Sequence, residues 1–297
     1  MISSQNTYRS CNKEYNIRKV HKACNGHYDR FYDGPVIVIV GPTGSGKTGI
    51  AIEIAKEIGK KFGLPKDEPG GEIISADSRA IYKHMDIGTA KPTKKEQEAV
   101  PHFGIDLVEP GERFTVFDFK SYAEQKISEI QARGHVPMIV GGTGLYIDAL
   151  IYDYQFRGKT GEKVKNGSLT EVTSEQINCS DRQEMVPGYV IFGIKWPAEE
   201  LRNRLRKRVN KLFNEKLYAE TRFLVSHYGW DLQAMKSNIY QFAWRYLEGT
   251  CTLDEAEELS LYDDWHLAKR QLTWFKRNDK IIWLPLDKIK SAVLKYI

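Results

Sequence analysis

Gly41-Pro42-Thr43-Gly44-Ser45-Gly46-Lys47-Thr48 completes the pattern G-x-x-x-x-G-K-[ST], the signature of a phosphate-binding loop. Gly41, Gly44 and Gly46 let the backbone turn sharply and aim N–H groups, those of Thr43 and Ser45 among them, at phosphate oxygens. Lys47 adds a point charge, the Thr48 hydroxyl can ligate Mg²⁺, and a helix opening at Lys47 adds its positive dipole end. A di- or triphosphate is therefore expected here, and the motif leaves the reaction open. A kinase or ATPase would place an acid at the end of a second core strand to hold Mg²⁺. The apolar run Val136–Val140 ends instead in Gly141-Gly142-Thr143-Gly144, whereas Glu72–Ala76 ends in Asp77-Ser78-Arg79. Asp77 is thus a candidate base or metal ligand beside the phosphates, the alternative being a turn or helix-cap acid.

These residues need strands to carry them. Val36–Val40 is a continuous β-branched run, as expected of a strand buried on both faces of a parallel sheet. Further strands are expected at Glu72–Ala76, Gly104–Val108, Val136–Val140, Tyr189–Lys195 and near Ile281–Leu284. Helical patterns occupy Lys47–Lys61, Val116–Arg133, Thr143–Tyr152, Ala198–Ser226 and Leu253–Lys276. The alternation predicts an α/β fold, a P-loop NTPase-like parallel sheet flanked by helices with a small helical appendage. The expected division is a loose basic arm over 1–33, a core over 34–152 and a polar insertion over 153–188. A return to the core over 189–230, a helical appendage over 231–265 and a C-terminal helix and strand over 266–297 complete it. The arm holds Cys11, His21, Cys24 and His27, all zinc-ligand types, yet the gap from Cys11 to His21 fits no standard finger.

The chain has 297 residues, 41% hydrophobic and 28% charged, which argues against disorder, collagen or coiled coil for the whole. No apolar run approaches the roughly 20 residues that a bilayer span needs, and the first thirty residues contain no apolar signal core. Four cysteines make no disulfide scaffold, so a soluble cytoplasmic protein is expected. The net charge of +5 is unevenly placed. Arg202, Arg204, Arg206, Lys207, Arg208 and Lys211 form a run without acids, and Lys269, Arg270, Lys276 and Arg277 form another group. Such clusters suit a polyanion, or are solvated helix faces.

The phosphate-binding loop stands with Ile-Ser-Ala-Asp-Ser-Arg-Ala-Ile-Tyr at 74–82 and Met-Asp-Ile-Gly-Thr-Ala-Lys-Pro at 85–92. Val-Gly-Gly-Thr-Gly-Leu-Tyr follows at 140–146 and Ala-Lys-Arg-Gln-Leu-Thr-Trp at 268–274. In this order the set resembles the tRNA dimethylallyltransferases, over about Gly34–Leu150, Ile191–Lys216 and His266–Leu284. The resemblance implies transfer of a dimethylallyl group from its diphosphate to N6 of the adenosine 3′ of the anticodon. It implies Asp77 as the base, Thr48 with Mg²⁺ on the leaving diphosphate, and Arg204 and Arg208 as further diphosphate ligands. It assigns Asp77, Ser78, Arg79, Ala80, Thr143, Lys269, Arg270, Gln271 and Trp274 to the tRNA side, Trp274 being alternatively core. The implied partners are the tRNA anticodon arm and dimethylallyl diphosphate, with no membrane and a monomeric chain. Two features depart from the family. The insertion at 153–188 is short and lacks the His-Pro-x-Asp and arginine-rich stretch, and Ile239-Tyr240-Gln241 replaces Gly-Tyr-[Lys/Arg]. A prenyltransferase acting on AMP, ADP or ATP, a non-catalytic tRNA-binding relative and a small-molecule kinase are the competing readings.

Overall fold

The computed structural model describes residues 18–22, 28–156, 184–232, 234–236 and 238–297. Six parallel strands form the central sheet in the order β5-β4-β6-β3-β7-β8. They are β3 (Val36–Val40), β4 (Gly71–Ala76), β5 (His102–Phe103), β6 (Val136–Gly141), β7 (Tyr189–Lys195) and β8 (Ile282–Pro285). The period of two divides β3 between two cores. Val36, Val38 and Val40 face Phe119, Ala123, Tyr146 and Leu150 of α3 (Val116–Ala132) and α4 (Gly144–Ile151). Ile37 and Ile39 face Ile54, Ile58 and Ile289 of α1 (Lys47–Lys61) and α9 (Leu286–Val293). With both faces covered, only an uninterrupted apolar strand satisfies the site, which is why the run reads Val-Ile-Val-Ile-Val.

A third core lies within the helical appendage. It joins α5 (Ala198–Leu212), α6 (Glu215–Tyr228), α7 (Asn238–Leu247) and α8 (Leu253–Phe275) around Leu205, Leu217, Met235 and Tyr240, with Met85 from the loop after β4. The Met85–Pro92 motif is a pinned loop. Glu220 of α6 accepts hydrogen bonds from the backbone N–H groups of Asp86 (2.9 Å), Ile87 (2.9 Å) and Gly88 (3.0 Å), and from the Tyr240 hydroxyl (2.6 Å). A Cβ on Gly88 would lie 2.4 Å from the Tyr240 ring, so only glycine admits that ring. Lys91, 2% exposed at its side chain, reaches Asp86 (2.8 Å) and Asp106 (2.6 Å) from inside the loop. Tyr240, the residue retained from the family's Gly-Tyr-[Lys/Arg] element, is therefore a buried anchor of this loop.

Several sequence expectations are corrected. The strand expected at Gly104–Val108 is the two-residue β5 at His102–Phe103. The chain then turns through left-handed Gly104 (φ +78°) and Asp106 (φ +54°), and Val108 keeps one isolated bridge to Tyr82. The single helix expected over Ala198–Ser226 breaks into α5 and α6, because the Asn214 side chain caps the Lys216 and Leu217 N–H groups and starts a new helix. The boundary expected at 265/266 falls inside α8, which starts from a Thr252–Glu255 capping box and runs on to Phe275. The arm expected to be loose contains an antiparallel pair, β1 (Arg18–Lys22) with β2 (Tyr28–Phe31), and Tyr32 enters the core beyond it. The zinc reading falls on Cys11, Cys24 and His27, which lie outside the described residues, as do residues 157–183 of the insertion. The insertion's first residues pack inward, with Phe156 buried. Short helices α2 (Lys94–Ala99) and α9 carried too few turns to show a period.

Replacing Glu220 by Ala leaves three backbone donors and a buried hydroxyl without their shared acceptor. The expected loss is about 2–3 kcal/mol of stability, read from the shift in urea midpoint at constant m-value.

Candidate active site

The loop between β3 and α1 forms the floor of the site. Gly44 (φ +73°) and Gly46 (φ +89°) are left-handed, and a Cβ at Gly44 would lie 2.7 Å from Leu205. Lys47 folds back over the loop and donates from Nζ to the carbonyls of Gly41 (2.9 Å) and Pro42 (2.7 Å). Burial lowers its pKa to about 8; the Asp77 charge opposes this and the Arg208 charge adds to it. Ser45 is fully buried, and its hydroxyl has no hydrogen-bond partner among the described residues. Thr48 stands half-buried on the first turn of α1.

Helix α5 grips this loop from one side. Trp196 donates from Nε1 to the Ser45 carbonyl (3.0 Å), and Arg204 donates from Nε to the Gly44 carbonyl (2.9 Å). The Arg204 guanidinium lies 4.4 Å from the Trp196 ring centroid, a cation–π contact that holds both against the loop. Arg208 donates from Nη1 to the Thr43 hydroxyl and to Asp264 of α8 (3.0 Å). Burial raises the Asp264 carboxyl pKa, and the Arg208 charge acts against that rise.

Asp77 leaves the end of β4, two strands from β3, with β6 between them. Its Oδ1 accepts the Arg79 N–H (2.8 Å), so it does shape its own turn, while its second oxygen has no protein partner among the described residues. Thr143, at the end of β6, joins the loops. Its N–H donates to the Ala76 carbonyl (3.1 Å), and its hydroxyl accepts the Ser78 N–H (3.0 Å). Gln271 of α8 completes the connection, accepting the Thr43 N–H (2.7 Å) and donating to the Gly142 carbonyl (3.1 Å). The phosphate loop, the Gly-Gly-Thr turn and the Asp77 loop thus form one hydrogen-bonded assembly at the carboxyl edge of the sheet, where open α/β sheets bind ligands.

The residues assigned to RNA divide. Lys269 and Arg270 are exposed on α8, and Ser78, Arg79 and Thr143 are half-buried at the Asp77 mouth. Ala80 is 5% exposed, so its side chain offers no surface. Gln271 is committed at both ends of its carboxamide to the two loops. Trp274 is half-buried and packs against the core. It donates from Nε1 to Asp148 (2.8 Å), its ring lies under the Arg277 guanidinium at 4.0 Å, and a Cβ on Gly144 would fall 2.1 Å from it. Burial raises the Asp148 carboxyl pKa to about 6 against the Trp274 hydrogen bond and the Arg277 charge. The basic run on α5 is partly neutralised, Arg206 by Glu258 and Arg208 by Asp264, leaving Arg202, Lys207 and Lys211 exposed. Asp264, Trp196 and Glu220 had no signal of their own in the sequence, since each acts through a partner far along the chain. Among the described residues no group of three or more His, Cys, Asp or Glu side chains could hold a metal, and no helix is long and apolar enough to cross a membrane.

A family profile described as IPP transferase matches residues 80–186 and 164–278. The tRNA dimethylallyltransferase of Carboxydothermus hydrogenoformans is 36% identical over 309 residues, covering 87% of this chain and 96% of that protein. That of Acetivibrio thermocellus is 35% identical over 303 residues, covering 86% and 93%. Among solved structures, the tRNA delta(2)-isopentenylpyrophosphate transferase of Staphylococcus epidermidis superposes with a TM-score of 0.68 at 32% identity, covering 88% of this chain and 99% of that one.

The depressed pKa of Lys47 sets a pH dependence for anion binding. The ammonium form attracts phosphate and the neutral form does not, so affinity for inorganic diphosphate should fall as pH rises through about 8. The limit is about tenfold per pH unit. Calorimetric titration from pH 6.5 to 10 on the order of unit steps, against a Lys47→Met control that carries the ligand's own titration, reads this directly. A wild-type profile parallel to the control would contradict it.

Proposed function

The chain belongs to the tRNA dimethylallyltransferase family, and on that basis we propose that it transfers a dimethylallyl group from dimethylallyl diphosphate to N6 of the adenosine 3′ of the anticodon in tRNA, releasing diphosphate. The observation that carries this reading is the joining of an acid-bearing loop to a phosphate loop across a strand end that has no acid. Asp77 and Lys47 are close enough for their charges to interact, yet β6 between them ends in Gly141-Gly142-Thr143. That arrangement suits a proton acceptor facing a diphosphate leaving group better than it suits γ-phosphate transfer.

The residues then divide the reaction between them. A bond forms from N6 to C1 of the dimethylallyl group as the C1–oxygen bond breaks. The free oxygen of Asp77 takes the N6 proton. The leaving diphosphate gathers negative charge, which Lys47, Arg208 and the loop N–H groups stabilise, other than those of Thr43 and Ser45, which are bonded to Gln271 and to the Pro42 carbonyl. Arg204, held by Gly44 and Trp196, keeps the loop in shape. Thr48, half-buried on the first turn of α1, offers one hard oxygen beside the phosphate loop, of the kind that can hold Mg²⁺ jointly with substrate phosphates. Bound there, Mg²⁺ would supply charge neutralisation on the departing diphosphate. The target base must leave its stack to reach Asp77. Ser78, Arg79 and Thr143 line that entry, and exposed Lys269 and Arg270 meet the RNA backbone. The enzyme works as a monomer in the cytoplasm, where its tRNA substrate is found.

Incubation with labelled dimethylallyl diphosphate and unmodified tRNA transcript should place label on that adenosine. Label in AMP instead would make the enzyme a free-nucleotide prenyltransferase, and label in neither would make it a binding relative. Asp77→Asn keeps the Arg79 hydrogen bond but cannot take a proton near neutral pH. It should fold normally and lose about 10²–10⁴-fold in kcat. A loss under about tenfold would leave Asp77 a turn residue only.

A further inference from the structure

Helix α8 turns one stripe toward the phosphate loop. Asp264, Ala268, Gln271 and Phe275 follow at helical spacing; Ala268 and Phe275 are buried, and Gln271 is bonded to Thr43 and Gly142. Asp264 is the charged member of that stripe, 15% exposed and bonded to Arg208. The protein uses a single nitrogen of Arg208, Nη1, which meets both Thr43 and Asp264. Nε and Nη2 have no protein hydrogen-bond partner among the described residues, although the Arg208 side chain is only 25% exposed. Neither nitrogen is fully enclosed, so both can still meet the oxygens of a ligand. Arg208 also stands close enough to Lys47 to depress its pKa. Two cations so near repel, and without a counter-charge the long arginine side chain would swing away from the loop.

We propose that Asp264 is a positioning residue for the diphosphate, fixing Arg208 at Nη1 against Thr43 so that the open Nε and Nη2 donors meet the leaving group. The assignment rests on the diphosphate reading of the phosphate loop. It has a consequence opposite to simple charge: removing a negative side chain from beside an anion site should weaken anion binding, because the arginine it aims is lost with it.

The test is a double-mutant cycle on inorganic diphosphate binding, measured by calorimetry on the full chain with Mg²⁺ present. The variants are Asp264→Ala, Asp264→Asn, Arg208→Ala and the Asp264→Ala/Arg208→Ala double. With Arg208 present, Asp264→Ala should weaken binding about tenfold, the loss typical of one charged hydrogen-bonding partner. Asp264→Asn, close to isosteric and still offering Nη1 an acceptor, should weaken it only about threefold. In the Arg208→Ala background, Asp264→Ala should change the dissociation constant by less than about twofold or tighten it. The kcat for prenyl transfer should fall in the same order, with melting temperatures confirming that the variants fold. Tighter binding in the Asp264→Ala single, an Asn variant as weak as Ala, or equal weakening in both backgrounds overturns the assignment. A cycle as expected without any prenyl transfer overturns the proposed function and leaves the Asp264 role standing. Normal transfer with an additive cycle overturns Asp264 alone, and a wild type that binds no diphosphate overturns both.

Discussion

One carboxamide holds the two halves of the site in register. The proposed chemistry needs a phosphate loop on β3 and an acid on β4, and in the sheet β6 stands between those strands. Nothing in the backbone of one strand end dictates where the next loop will settle. Gln271 sets this by taking the Thr43 N–H with its oxygen and giving its N–H to Gly142. Thr143 extends the connection to Ala76 and Ser78. Hydrogen bonds of this kind contribute only about 1 kcal/mol each to stability. Their importance is positional, since a displacement of about 1 Å between reacting groups costs far more in rate than it does in stability.

That arrangement explains why α8 is long. To reach Thr43 and Gly142 with Gln271 and Arg208 with Asp264, α8 must cross the whole mouth of the site. It gains the anchorage to do so in the appendage core, around Ala256, Leu261 and Ala268. The appendage in turn holds the Met85–Pro92 loop through Glu220 and Tyr240, which places the far end of the Asp77 loop. The helices after β7 thus complete the active site from behind, and cutting the chain at 265/266 would divide its main support.

Charge follows the same logic. The α5 run without acids reads in one dimension as a polyanion surface, yet its inward members are fixed to local partners: Arg204 to Gly44 and Trp196, Arg208 to Thr43 and Asp264. Helical periodicity separates these from Arg202, Lys207 and Lys211, which remain exposed. A polyanion would therefore meet fewer cations than the run contains.

Local physics made much of this protein legible from its sequence. A run such as Val36–Val40 between turn signals reads as a doubly buried strand, and a glycine-rich turn ending in Lys47-Thr48 reads as a phosphate cradle in that context. Asp77 was legible as a candidate because the strand it follows was clear, a turn acid being the alternative. What stayed hidden were interactions whose partners lie far apart in the chain. Gln271 with Thr43, Trp274 with Asp148, Glu220 with the Ile87 and Gly88 amides and Asp264 with Arg208 each join residues with no mutual sequence signal. The same limit hid the internal hydrogen bonds of Gln271 and Trp274, because a polar or aromatic side chain looks alike in sequence whether it faces solvent or a buried acceptor. Sequence determined the sheet, the phosphate loop and the acid. The packing of α5 through α8 decided which side chains are free to meet a ligand, since burial and hydrogen-bond partnership are properties of three-dimensional neighbours and not of chain order.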